Sequence, residues 1–101
     1  MTQTDLFYEL SVEADRDIED IFDYTAEEFG LDQAVAYVNA FDDVFVELLD
    51  NTELGRRRPE IREGLRSIAK ESHIIFYRIL KDRIRIIRIL HGSRDLPKFL
   101  T

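Results

Sequence analysis

The sequence predicts an α+β fold in which an N-terminal strand, an antiparallel helical hairpin and a three-stranded antiparallel β-meander build one sheet with a helical layer over it. Three observations carry this. Apolar residues recur at steps of three and four between Ser11 and Asp50, the period of a helix with one buried face. From Gly64 onward that period gives way to runs of β-branched and aromatic residues separated by short polar breaks. Between the two regimes, residues 51–63 follow neither period and contain Gly55 and Pro59, which marks a loop.

The elements follow in order. Residues Asp5 to Leu10 (DLFYEL) are short and partly aromatic and precede Ser11, so they read as a strand ending at a helix N-cap. In the first helix Ala14, Ile18, Ile21, Phe22, Thr25 and Phe29 form the apolar stripe, and Asp15, Asp17, Glu19, Asp20, Asp23, Glu27 and Glu28 mostly fill the opposite face. Gly30 supplies a left-handed stop and Asp32 a cap for the next helix. A connection of about two residues then makes the helices antiparallel neighbours. The second helix runs to about Asp50 on the stripe Val35, Val38, Phe41, Val44, Phe45, Leu48 and Leu49. The strands are GLRSIAK, SHIIFYRIL and RIRIIRIL. In the last, strict alternation places Ile84, Ile86, Arg88 and Leu90 beneath the helices and Arg83, Arg85, Ile87 and Ile89 on the other face. One sheet face and at least one edge are left for a partner to cover.

At 101 residues the chain supports a single domain spanning 1–101, and 45% hydrophobic against 35% charged residues place it among globular rather than disordered chains. With no cysteine, disulfides, thiolate nucleophiles and zinc–thiolate sites are excluded, which suits a reducing cytoplasm. The N-terminus lacks the pattern of a signal peptide, and no apolar run approaches a membrane span, so a cytoplasmic protein without a membrane is expected. The net charge of −7 conceals a division: residues 1–54 carry sixteen acidic residues and one basic one, Arg16, whereas residues 55–101 carry five acidic and thirteen basic. Screening limits each surface to its own neighbourhood of about 8 Å, so the second half can still face an anionic partner.

Candidate chemistry is concentrated in that second half. Arg56, Arg57, Arg58, Arg62 and Arg66 lie in and just after the loop, where guanidinium groups can hold phosphate or carboxylate in paired hydrogen bonds. They can equally pair with Glu60, Glu63 or the acidic helices. As a cluster, contact with a partner is favoured, with Arg62 and Arg66 its more structural members. His91 closes the last strand before a polar loop with Arg94; it is either a hydrogen-bonded anchor or, with Arg66, Arg78 and Arg88, a general acid or base acting on RNA. His73 reads as structural, satisfying backbone groups at the start of its strand. The two histidines are too far apart in sequence and too few for a metal site, and no glycine-rich phosphate loop or G-x-S-x-G elbow is present, so no metal, cofactor or small-molecule ligand is expected. The final LPKFLT either packs back or meets a partner, the second being preferred.

Several stretches together carry a family resemblance: LSVEADRDIEDIFDYTAEEFG, QAVAYVNAFDDVF, GRRRPEIREGLRS, SHIIFYRI and the closing IIRILHGSRD. Over nearly its whole length the chain resembles ParE toxins of the ParE/RelE superfamily. Within those stretches Gly55–Arg56, Glu60–Ile61–Arg62, Gly64–Leu65–Arg66, His73, Phe76–Tyr77–Arg78 and Arg88–Ile89–Leu90–His91 fall where members commonly carry such residues. The resemblance implies a cytoplasmic toxin held in a hetero-oligomer by a cognate ParD-like antitoxin whose C-terminal segment wraps it. It also implies DNA gyrase as the target, inhibited without chemistry by trapping of the DNA-cleavage complex. Target contact is then expected from Arg56, Arg57, Arg58, His91, Arg94, Leu96 and Phe99, and antitoxin contact from Ile21, Phe22, Phe29, Phe41, Phe45 and Arg62. The alternatives are a RelE-like messenger-RNA endoribonuclease and a degenerate toxin serving mainly as its antitoxin's partner. The strongly acidic helices depart from the many basic relatives and imply an antitoxin segment with basic flanks.

Overall fold

The computed structural model describes residues 6–94 together with Lys98 and Leu100. Among these, strand β1 (Phe7–Leu10) leads into helices α1 (Val12–Phe29) and α2 (Leu31–Asp50), followed by β2 (Arg56–Arg57), β3 (Leu65–Lys70), β4 (His73–Ile79) and β5 (Arg83–His91). The five strands form one sheet in the order β1-β5-β4-β3-β2, with β1 parallel to β5 and the other pairs antiparallel. The expected α+β class and hairpin-over-sheet arrangement hold, and β2 is an addition to the predicted meander.

Ser11 starts α1 as its pattern predicts: its hydroxyl accepts from the Ala14 N–H at 2.9 Å and donates to the Ile87 carbonyl at 2.7 Å. Gly30 joins the helices alone. Its φ of 96° and ψ of 161° lie outside the left-handed helical well, in a region open essentially to glycine, and the same residue is the N-cap of α2. Asp32 is therefore not the cap; it lies in the first turn, where its charge complements the helix dipole.

The main core lies between the hairpin and the sheet, where Phe41, Leu48, Ile75, Tyr77, Ile84 and Ile86 are fully buried. Each such side chain contributes about 1.5–3 kcal/mol by leaving water. A smaller cluster on the far face joins Leu65, Phe76 and Leu90, with Leu100 buried against them. The tail thus packs back at Leu100, contrary to the preference for a partner there; Leu96 and Phe99 lie outside the described residues, as does Asp5 of the predicted first strand.

The facing assignment of β5 needs correction beyond Ile86. Tyr77 pairs with Ile86 while Phe76 pairs with Arg88, so Ile87 is an extra residue, a β-bulge that resets the alternation. Ile84 and Ile86 face the helices as predicted, but Ile89 then takes the core position and Leu90 turns to the far face. Beyond Ile86, β5 also has no β1 neighbour. There α1 supplies the hydrogen bonds instead: Ser11 takes the Ile87 carbonyl and the Asp17 carboxylate takes the Ile89 N–H at 2.9 Å.

Candidate functional site

Three surfaces collect the residues that sequence reasoning singled out. The first is the β2 edge. Arg56 and Arg57 pair with Ser67 and Arg66 of β3 and leave their side chains exposed. The chain reaches this edge through a narrow passage: the Tyr77 hydroxyl donates to the Thr52 carbonyl and accepts from the Gly55 N–H, both at 2.8 Å. A Cβ on Gly55 would stand 2.6 Å from the Tyr77 ring and 2.7 Å from the Ser67 carbonyl oxygen, so only glycine fits. Burial pushes the Tyr77 hydroxyl pKa up, so this clamp is neutral at physiological pH.

The neighbouring arginines are committed to the fold. Arg58 donates to Glu60 at 2.7 Å and to the Ser67 hydroxyl at 3.0 Å, with its guanidinium 5.8 Å from the centre of the Phe76 ring. Arg66 donates to the Gly55 carbonyl at 2.8 Å. Arg62, expected among the structural members, is exposed, and its side chain makes no hydrogen bond or ion pair among the described residues; its backbone alone is bonded, to Arg58 and Leu65.

The second surface is a groove of about 310 Å³ at one end of the sheet, lined by Tyr24, Phe29, Tyr37, His73 and His91 among others. His73 is half-buried against Tyr37, Phe41 and His91, and its Nδ1 lies 2.8 Å from the Tyr37 hydroxyl. It therefore bonds a side chain rather than the backbone groups expected of it. Burial, and next the adjacent His91, hold its pKa below the ordinary imidazole value. His91 is exposed, and its Nδ1 accepts from the Ser93 N–H at 3.1 Å, which leaves Nε2 as the protonated nitrogen of the neutral ring. Arg94 is exposed in the turn that follows.

The quartet Arg66, Arg78, Arg88 and His91 does not converge. His91 opposes His73, whereas Arg78 stands five residues further along β4, about 17 Å by strand rise, on the face away from the helices. Arg88 is engaged by Asp17, with its Nε donating at 2.8 Å and a second nitrogen donating at 3.0 Å. That forked pair raises the Arg88 pKa. Asp17 is the functional surprise of α1. It was placed on the solvent face, yet it lies three residues after Ala14 and four before Ile21, on the flank of the core stripe, and that spacing is the signal that could have found it.

The third surface is the hairpin. Ile21, Phe41 and Phe45 are inside the core and unavailable from outside, whereas Phe22 is half-buried and Phe29 is 68% exposed. Tyr8 of β1 donates to Asp42 of α2, and that carboxylate raises the Tyr8 pKa to about 12. Among the described residues no group of three or more His, Asp or Glu side chains is placed to hold a metal, and no helix is long and apolar enough to cross a membrane.

The hairpin over a mixed sheet has solved counterparts. A solved chromosomal ParDE toxin–antitoxin system from P. aeruginosa superposes with a TM-score of 0.76 at 21% identity, covering 88% of this chain and 98% of that one. A YafQ mutant from E. coli gives 0.52 at 16% identity, covering 90% and 96%. These likenesses define the fold class. The family follows from sequence: the profile of the ParE toxin of the type II toxin–antitoxin system parDE matches residues 8–96. Toxin ParE1 of Mycobacterium tuberculosis is 34% identical over 92% of this chain and 96% of its own length. Toxin ParE1 of Caulobacter vibrioides is 34% identical over 87% and 91%. The chain belongs to the ParE toxin family of type II toxin–antitoxin systems.

Proposed function

We propose that this ParE-family toxin acts by binding rather than by chemistry, that its target is DNA gyrase held in its DNA-cleavage complex, and that a cognate ParD-like antitoxin neutralises it in the cytoplasm as a hetero-oligomer. The observation that carries the reading is the ParE profile running from residue 8 to 96, which spans both layers of the fold. Geometry adds support, because Arg56 and Arg57 stand exposed on an outer strand held rigidly by the Tyr77 clamp. That arrangement suits recognition of an anionic surface at little cost in ordering. A supercoiling assay with purified gyrase tests it. Titrated toxin should abolish supercoiling and produce linear DNA, and antitoxin should suppress both. No effect at a large molar excess of folded toxin removes the gyrase reading.

One observation favours a second reading, an RNA-cleaving toxin. The imidazole rings of His73 and His91 lie 5.3 Å apart, centre to centre, at the groove, and an exposed imidazole is a group able to take or give a proton. Under that reading His91→Ala lowers cleavage of RNA by about a hundredfold or more. Under the gyrase reading the same substitution weakens inhibition only modestly.

A further inference from the structure

We propose that the groove between the hairpin tip and the end of the sheet holds one unpaired nucleotide of DNA, with its base against the groove's aromatic rings and its phosphate at Lys70. The inference deepens the gyrase reading on which it rests, since it gives the toxin a direct contact with the DNA of the cleavage complex.

The sheet brings three side chains into a row. Lys70 of β3 pairs with His73 of β4, which pairs in turn with His91 of β5. Ile68, Ile75 and Ile89, each two residues from a member of that row, pack into the core beneath the hairpin, so strand alternation turns the row toward the helical layer as well. The hairpin tip adds Tyr24 and Phe29, 65% and 68% exposed, together with the half-buried Tyr37. The groove's volume of about 310 Å³ is at the small end of the roughly 300–1,000 Å³ of ligand clefts, so it suits one planar ring system rather than a helix.

The lining has the chemistry of a base reader. Every base carries a π-face that stacks on an aromatic ring whatever the sequence, and its edge calls for donors and acceptors. The Ser72 N–H donates to the Tyr37 hydroxyl at 3.3 Å, so that hydroxyl donates to His73 Nδ1 and leaves the ring's Nε2–H as a donor. His91 carries its proton on Nε2 likewise, and Gln33 lines the groove with an amide that both donates and accepts. No carboxylate is among the described residues of the lining, although the helices around it are strongly acidic. The half-buried Lys70 makes no side-chain hydrogen bond or ion pair among the described residues, and its ammonium is available to a phosphate. An intact duplex keeps its bases stacked inside, whereas the frayed end of a cut one exposes them, which suits a toxin acting on a cleavage complex.

The test is fluorescence anisotropy of the folded toxin, without gyrase, against a labelled single-stranded DNA of about ten nucleotides, its duplex, and the RNA of the same sequence. The single strand should bind about tenfold tighter than the duplex, whose bases must first unstack. Tyr24→Ala and Phe29→Ala should each weaken that binding by about fivefold or more, and circular dichroism should stay unchanged because both side chains are mostly exposed. Lys70→Gln should lower affinity at low salt by about threefold and flatten its dependence on salt. Equal affinity for single strand and duplex overturns the proposal. So does the absence of binding, or single-strand binding that survives both alanine substitutions. RNA bound more tightly than DNA overturns the assignment to DNA and favours the RNA-cleaving reading. Because gyrase is absent from the assay, its failure is distinguishable from a failure of the toxin to inhibit supercoiling.

Discussion

The helical layer and the sheet layer treat their charges in opposite ways. The arginines of the basic half are largely used internally: Arg58 holds Glu60 and Ser67, Arg66 holds the Gly55 carbonyl, Arg83 and Arg85 share Glu9, and Arg88 grips Asp17. The carboxylates of the helices mostly have no partner in the described fold. A long planar donor at the margin of a sheet finds carbonyls and acids within reach, whereas a short carboxylate on the outer face of a helix finds water. Abundance of a charge is therefore a poor guide to its availability. The conspicuous arginine run yields two freely presented members, Arg56 and Arg57, and the unremarkable acidic helices yield an open surface.

The largest effect should come from Asp17, a carboxylate that joins the two layers. Asp17→Asn removes the charge that holds the half-buried Arg88 in a forked pair and should lower stability by about 2–3 kcal/mol, allowing for partial exposure, in urea unfolding. A change below about 0.5 kcal/mol would make the pair a surface contact and erase the contrast drawn above. Next is Tyr77→Phe. It strands the Thr52 carbonyl and the Gly55 N–H, at a cost of about 1–3 kcal/mol in the same measurement. Should the variant match wild type, the β2 edge is not held by this clamp.

His73 gives a pH dependence of smaller size. Because its folded pKa is lowered, the unfolded chain binds the proton first as pH falls. Its contribution to stability is thus complete above the unfolded value of about 6.5 and declines below it. Melting temperature should drop between pH 7.5 and 5.5, and His73→Asn should reduce that drop; a variant that keeps the full wild-type drop assigns the effect elsewhere. The smallest effects belong to exposed groups whose side chains form no hydrogen bond or ion pair among the described residues. Glu27→Gln with Glu28→Gln, and separately Arg56→Gln with Arg57→Gln, should leave stability within about 0.5 kcal/mol. If the proposed gyrase reading holds, the arginine pair alone should weaken inhibition in the supercoiling assay, which separates a presented charge from a structural one.

The parts of this fold that were legible in the sequence are those set by local chemistry. The Ser11 cap, the Gly30 turn and most of both helical stripes depend on neighbours a few residues away and appear where the pattern places them, whereas Phe29 and Val35, counted in those stripes, stand 68% and 45% exposed. Strand β2 was not legible, because two arginines acquire a strand conformation only through pairing with β3. The bulge left a trace that strict alternation overlooked: the adjacent Ile86 and Ile87 interrupt the Arg–Ile rhythm of β5 where its facing changes. Of the candidate site, the exposure of Arg56 and Arg57 could be anticipated from their loop. The engagement of Arg58 with Phe76, eighteen positions away, and of Arg88 with Asp17 could not, since each is decided by which distant element the fold brings alongside.

The cover that α1 gives to β5 beyond Ile86 has a consequence for how the toxin exists alone. An exposed run of peptide N–H and carbonyl groups is a template on which another chain can add a strand, and repeated addition leads to aggregates. With the Ile87 carbonyl and the Ile89 N–H already satisfied by Ser11 and Asp17, that stretch offers no ladder to a second copy. A second copy of the chain therefore cannot extend the sheet by strand addition along that stretch.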